Sequence, residues 1–139
     1  YDRVDWNFLK EMLSTRGFGT KWRCWINSVV RDSSICVRIN DEDSSYFKTG
    51  KGLRQGDPLS PLLFNLVADA FTRMLIKAAD HGLITGLMSE AFPGGIISLQ
   101  YANDTLLFLQ NDLDKARNFK WLLACFEKLS GMKVNFDKK

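Results

Sequence analysis

Asn103 and Asp104 sit in a three-residue link, Ala102-Asn103-Asp104, between two apolar runs at 96–101 and 105–109. The spacing predicts a tight hairpin with residues 101–104 as its turn and Asp104 directed towards a groove facing Gln55. Acidic residues on so rigid a turn make a platform for divalent cations. Two-metal phosphoryl transfer needs carboxylates converging on ions roughly 3.5–4 Å apart, and Mg²⁺ prefers such hard oxygen ligands. Spacing alone fits ordinary turn chemistry at least as well, because Asn and Asp are common turn formers.

A second cluster is the loop Gly52-Leu53-Arg54-Gln55-Gly56-Asp57-Pro58-Leu59-Ser60-Pro61. It offers a cation, an amide and, at Gly56, close approach to the backbone. It also leads into a helix N-terminus, where unpaired N–H groups and the helix dipole both favour anionic phosphate. A capped loop with structural Gly and Pro accounts for the same residues.

Other candidates are bland. His81, the one histidine, falls at a helix end, where it caps carbonyls, and no His-based triad can be assembled around it. Trp22 and Trp25 have the chemistry of a stacking surface, but their helical period argues for core. Asp41-Glu42-Asp43 reads as a solvated turn, and Lys138-Lys139 as a solvated tail. Cys24, Cys36 and Cys125 are odd in number and widely spaced, which indicates neither a disulfide framework nor a zinc site but reduced packing residues.

The elements that must position these residues follow from periodicity. Asp5 can cap a helix running to Arg16-Gly17, with Leu9, Met12 and Leu13 on one face. Thr20 can cap a second, on which Trp22, Trp25, Ile26, Val29 and Val30 follow helical spacing. A hairpin comes next: Ile35, Val37 and Ile39 alternate, and Tyr46-Phe47-Lys48-Thr49 returns. Ser60 suits an N-cap and Pro61 the first helical position. That helix turns Leu63, Leu66, Val67, Ala70, Phe71, Met74 and Leu75 inward and closes at His81-Gly82. After Pro93-Gly94-Gly95 come the two strands around Asn103-Asp104, and the second is apolar on consecutive positions, as a central strand covered on both faces would be. A last helix (Ala116, Phe119, Leu122, Leu123, Phe126, Leu129) ends at Ser130-Gly131, and a short strand follows at 133–136. Helices and hairpins mix without regular βαβ alternation, so the class is α+β.

Composition bounds what such a chain can be. Its 139 residues are 45% hydrophobic and 25% charged, the make-up of one globular domain able to bury a core. A net charge of +3 permits a nucleic-acid partner without arguing for one. No apolar run approaches the roughly 20 residues that span a bilayer, and the first residues lack signal-peptide character. An intracellular protein with no membrane partner is expected, its compartment open. Nothing points to a homo-oligomer. The chain lacks an initiator Met and opens inside what reads as a motif, so it is expected to be a fragment.

Four stretches carry a resemblance. Tyr1-Asp2-Arg3-Val4-Asp5-Trp6 resembles the tail of reverse-transcriptase motif A in LINE-type (non-LTR) retrotransposons, especially those of plants. Residues 52–64 match motif B of the same group almost letter for letter. Leu99-Gln100-Tyr101-Ala102-Asn103-Asp104 resembles motif C, normally Tyr-Ala-Asp-Asp, and residues 130–138 resemble motif D. The resemblance implies a polymerase palm, a small antiparallel sheet backed by helices, with part of the fingers between motifs A and B. Residues 1–139 would form one reverse transcriptase domain fragment, from the motif A tail through motif D.

The resemblance also implies roles. Tyr1 stands at the aromatic gate that rejects a ribose 2′-OH. Arg54, Gln55 and Gly56 belong to the motif that lines the incoming nucleotide. Asp104 matches the second motif C aspartate, a metal-binding catalytic position. Lys138 matches a motif D lysine that protonates or neutralises the pyrophosphate leaving group, and Lys139 replaces a usual Ser. Mg²⁺, an RNA template with a DNA primer, and deoxynucleoside triphosphates are the implied cofactor and partners. Two departures predict an inactive form. The motif A aspartate falls before Tyr1, and Asp2 is not that residue. The first motif C aspartate is Asn103, which brings a neutral carbonyl and no charge. Rival readings are a degraded or domesticated non-catalytic module, and the palm of another reverse transcriptase such as an intron maturase. The Arg-Gln-Gly-Asp-Pro form of motif B disfavours the maturase.

Overall fold

Asp5 starts the first helix as expected. Its carboxylate accepts from the backbone N–H groups of Asn7 and Phe8 at 2.8 and 2.9 Å, and α1 runs Trp6–Thr15. These are two of the four donors that a helix N-terminus leaves unpaired. The computed structural model describes residues 1–32, 34–88, 90–92, 95–101 and 104–134. Within it α2 (Thr20–Arg31) takes Gly19 as its cap with no side-chain bond, so Thr20 is a helical residue and not the expected cap. In α3 (Ser60–Asp80) the cap position falls on Leu59, and Ser60 is buried in the first turn with Pro61 beside it. The expected Ser60 cap is supplanted by Asp57, whose carboxylate accepts from the Leu59 N–H at 2.7 Å. His81 closes α3 as expected, its Nδ1 2.7 Å from the Lys77 carbonyl. The last helix, α4 (Leu113–Ser130), is capped by Asp112 at one end and by left-handed Gly131 at the other.

The core lies where α3 meets α1 and α4. Leu9 and Leu13 come from α1, Leu63, Val67, Phe71 and Leu75 from α3, and Phe119 and Phe126 from α4, all buried. The Phe71 and Phe126 rings lie 4.7 Å apart. Burying each such side chain stabilises by about 1.5–3 kcal/mol. An ion pair between Arg16 and Asp69 ties α1 to α3 at the edge.

The strands are short. Residues 34–48 form the expected hairpin in two steps, β1 (Ser34–Ile35) against β4 (Phe47–Lys48) and β2 (Arg38–Ile39) against β3 (Glu42–Asp43). Asn40 and Asp41 take positive φ of 51° and 65°, as a two-residue hairpin link requires. The acidic run is therefore split, with Asp41 in the link and Glu42 and Asp43 in a strand facing Ile39 and Arg38. The motif C hairpin is β5 (Ser98–Tyr101) against β6 (Asp104–Leu107), closed by the Tyr101–Asp104 pair. Tyr101 and Asp104 thus face each other at the two ends of the expected turn, Asp104 being the first residue of β6. Among the described residues every sheet has two strands, which together with four helices makes the class α+β.

Three packing expectations fail. Trp25 is 55% exposed, and Trp22 and Val29 are exposed too, leaving Ile26 the buried member of that stripe. Helical spacing put them on one face but did not supply a layer to cover it. The aromatics pack on one another instead: Phe18 stacks on Trp22 at 6.4 Å, and Lys21 sits 5.3 Å over Trp25. Second, among the described residues β6 is not a central covered strand, since there it pairs with β5 alone and Leu106 is 62% exposed. Third, the cysteines are free, but Cys24 and Cys125 are exposed and do not pack; Cys36 is half-buried. Lys133 and Val134 lie outside any strand, and the rest of the strand expected at 133–136 lies outside the described residues.

Candidate functional site

Around Val4, three stretches far apart in sequence meet through their backbones. The Gly52 N–H donates to the Val4 carbonyl at 2.8 Å, and the Leu53 N–H donates to that of Tyr1 at 2.9 Å. The Trp6 indole N–H donates to the Gly52 carbonyl at 2.7 Å. From the other side the Asp5 N–H donates to the Ser130 carbonyl at 2.7 Å. Two glycines allow this closeness. A Cβ on Gly52 would lie 2.5 Å from the Asp2 carbonyl oxygen, and one on Gly131 would lie 2.7 Å from that of Arg3. Both also have positive φ, 91° and 73°. The stretches beginning at Tyr1, Gly52 and Ser130 are therefore held in register by main-chain bonds.

On this base the loop at 52–61 forms one wall of a cleft of about 660 Å³. The hairpin also lines it, through Ile35, Cys36 and Tyr46, as does Asp2. Of the expected nucleotide-binding residues, Arg54 and Gln55 line the cleft. Arg54 Nη2 donates to the Ser34 carbonyl at 2.7 Å, and Gln55 Nε2 lies 3.4 Å from the Asp2 carboxylate. Gly56 is exposed with open space where a Cβ would stand, so its φ of 86° is what calls for glycine. The Tyr1 ring is half-buried and stacks on Phe64 of α3, centroids 4.5 Å apart at 22°. Tyr1, Gly56 and Asp104 are not among the residues lining the cleft. Asp104 is exposed at the start of β6. Asn103 and Lys138, with Lys139, lie outside the described residues.

At the hairpin tip Arg38 and Asp43 form a two-bond pair at 2.7 and 3.1 Å. The hydrogen bond holds the Asp43 carboxyl below its usual range and raises Arg38. Among the described residues no group of three His, Cys, Asp or Glu side chains stands close enough to hold a metal ion. None of their helices is long and apolar enough to cross a membrane.

A family model described as reverse transcriptase (RNA-dependent DNA polymerase) matches residues 1–139. The chain belongs to the reverse transcriptase family. Similar proteins come from mobile elements. The Transposon TX1 uncharacterized 149 kDa protein of Xenopus laevis is 28% identical over 99% of this chain and 10% of its own length. Retrovirus-related Pol polyproteins from type-1 retrotransposable element R2 are also similar. That of Nasonia vitripennis is 35% identical over 79% of this chain and 10% of its own length, and one from Popillia japonica is 26% identical over 99% and 22%. This is a reverse transcriptase domain of the LINE-type, non-LTR kind, as the four motifs implied. It spans between a tenth and about a fifth of the length of those relatives.

In this reverse transcriptase domain, Asp2, Gly52 and Gly131 were not singled out by their chemistry. Their part is to let backbones approach. The Gly50-Lys51-Gly52 spacing and the Ser130-Gly131 helix stop were the available signals, but neither says what comes close.

Proposed function

We propose that residues 1–139 form one piece of the palm of an RNA-directed DNA polymerase, with part of the fingers, and that this form does not polymerise. The observation that carries the palm reading is the backbone pairing of Tyr1 and Val4 with Leu53 and Gly52. It holds Tyr1, which would be the aromatic gate, beside the loop that carries Gln55. Its substrates would be deoxynucleoside triphosphates, with an RNA template and a DNA primer. Tyr1, buttressed by Phe64, would fill the space that a ribose 2′-OH needs, while Gln55 and Gly56 would line the nucleotide. Lys138 would neutralise or protonate the leaving pyrophosphate.

The donor set does not fit the two Mg²⁺ ions of the family. Asp104 is its one carboxylate in motif C, and Asn103 offers a neutral oxygen where an anion is needed to offset ion charge. The missing charge at position 103 would leave motif C without the paired carboxylates that hold the two ions. Primer extension on RNA and DNA templates, with Mg²⁺ or Mn²⁺, tests the proposed inactivity directly. The expected result is no incorporation above that of Asp104→Asn; incorporation that Asp104→Asn abolishes would show the reading of the ligands to be wrong.

A further inference from the structure

The hairpin at 34–48 is the loosest wall of the cleft. Val37, Ile39, Tyr46 and Phe47 are exposed, and among the described residues its strands pair with each other alone. Few buried apolar contacts and exposed backbone hydrogen bonds mark a segment that opens at low cost. Yet Ser34, Ile35, Cys36 and Tyr46 of this hairpin line the same cleft as Arg54 and Gln55, so its position bears on the width of that cleft.

Arg54 reaches across that space. Its Nη2 donates at 2.7 Å to the carbonyl of Ser34, twenty residues earlier and the first residue of β1. A guanidinium bonded to a neutral carbonyl makes a charge-assisted bond, stronger than one between neutral groups. The loop end of the tether is firm, because Gly52 and Leu53, just before Arg54, are bonded to Val4 and Tyr1. The hairpin end is the one that can yield.

We propose that Arg54 is a positioning residue that clasps the hairpin to the motif B loop and sets the width of the cleft, instead of meeting the nucleotide itself. The inference rests on the nucleotide reading of the cleft only for its purpose, since the clasp exists without any ligand. A long cationic donor is what the role requires. Lys can reach a carbonyl as Arg does, whereas Met has a similar stem and nothing to donate.

Hydrogen exchange on the chain without ligand tests the clasp separately from polymerisation. Arg54→Met should speed exchange of the β1 and β4 amides by about fivefold, the usual worth of one such bond, and leave α3 and α4 unchanged. Arg54→Ala should do the same, and Arg54→Lys should restore protection. Inorganic triphosphate, titrated in parallel, is the probe for the direct role. Unchanged hairpin exchange in Arg54→Met, whether or not triphosphate binding weakens, overturns the proposal. So does acceleration that extends equally into α3, which would mean a general loss of stability.

Discussion

Around Val4, backbone groups from three distant stretches pair with one another behind a side chain that is fully buried. Across the hairpins at 34–48 and 98–107 the strands pair, among the described residues, only within each hairpin, and Tyr46, Leu99 and Leu106 are exposed. Both regions carry residues that the family motifs or the cleft depend on. The difference is in what holds them. The first region is fixed by long-range main-chain bonds that need glycine at two points, so its geometry is a property of the whole fold. The hairpins are fixed by local turn and pair chemistry, so their geometry can change without disturbing the helices. The loop at 52–61 thus borders one region held by long-range main-chain bonds and one held by local pairing.

The sharpest way to break this contrast is at the region held by long-range bonds. Gly52→Ala places a Cβ 2.5 Å from the Asp2 carbonyl oxygen at a φ of 91°. Left-handed strain together with overpacking should cost about 3 kcal/mol, read as the shift in a denaturation midpoint at constant slope. A shift no larger than that of Gly50→Ala, whose Cβ would meet nothing within 4 Å, would mean that the close approach is not a constraint.

An intermediate effect is expected at Asp5. Asp5→Ala removes the side-chain bonds to Asn7 and Phe8 but keeps the backbone bond to Ser130. The loss should be about 1 kcal/mol in chemical denaturation, and Asp5→Asn should recover most of it.

The smallest effect belongs to the hairpin tip. Arg38 lowers the Asp43 pKa, so the pair is fully present above the ordinary carboxylate value of 3.8 and is lost as pH falls through the lower folded value. Both groups are exposed, and the account expects no change in global unfolding from Asp43→Asn. Protection of the β2 and β3 amides, taken relative to their intrinsic exchange rates at each pH, should fall with acidification in the native chain more than in that variant. A matching loss of helix protection would show that the hairpin is not independent.

Those three positions also mark what could be read from sequence. The caps at Asp5, His81 and Gly131 were legible because each is decided within about one helical turn. The motif B helix and the motif C hairpin were legible from their apolar runs. Trp22 and Trp25 misled, because helical period reports which residues share a face and not whether another element covers it. The acidic run 41–43 misled because the φ values at Asn40 and Asp41, not the charge, set the turn. Gly52 needed knowledge of Asp2, fifty residues earlier, which no local pattern holds.

Asn103 is the substitution on which the functional account turns. The direct test is Mg²⁺-dependent extension of a DNA primer on an RNA template, comparing Asn103 with Asn103→Asp. Each form should be measured both in this chain and in a longer polypeptide that also supplies a motif A aspartate, fingers and thumb. Two-metal catalysis stabilises the attacking and leaving oxygens together, so Asn103→Asp should stay silent in the 139-residue chain. In the longer polypeptide it should convert an inactive enzyme into an active one. Equal extension by the Asn and Asp forms there would contradict the account.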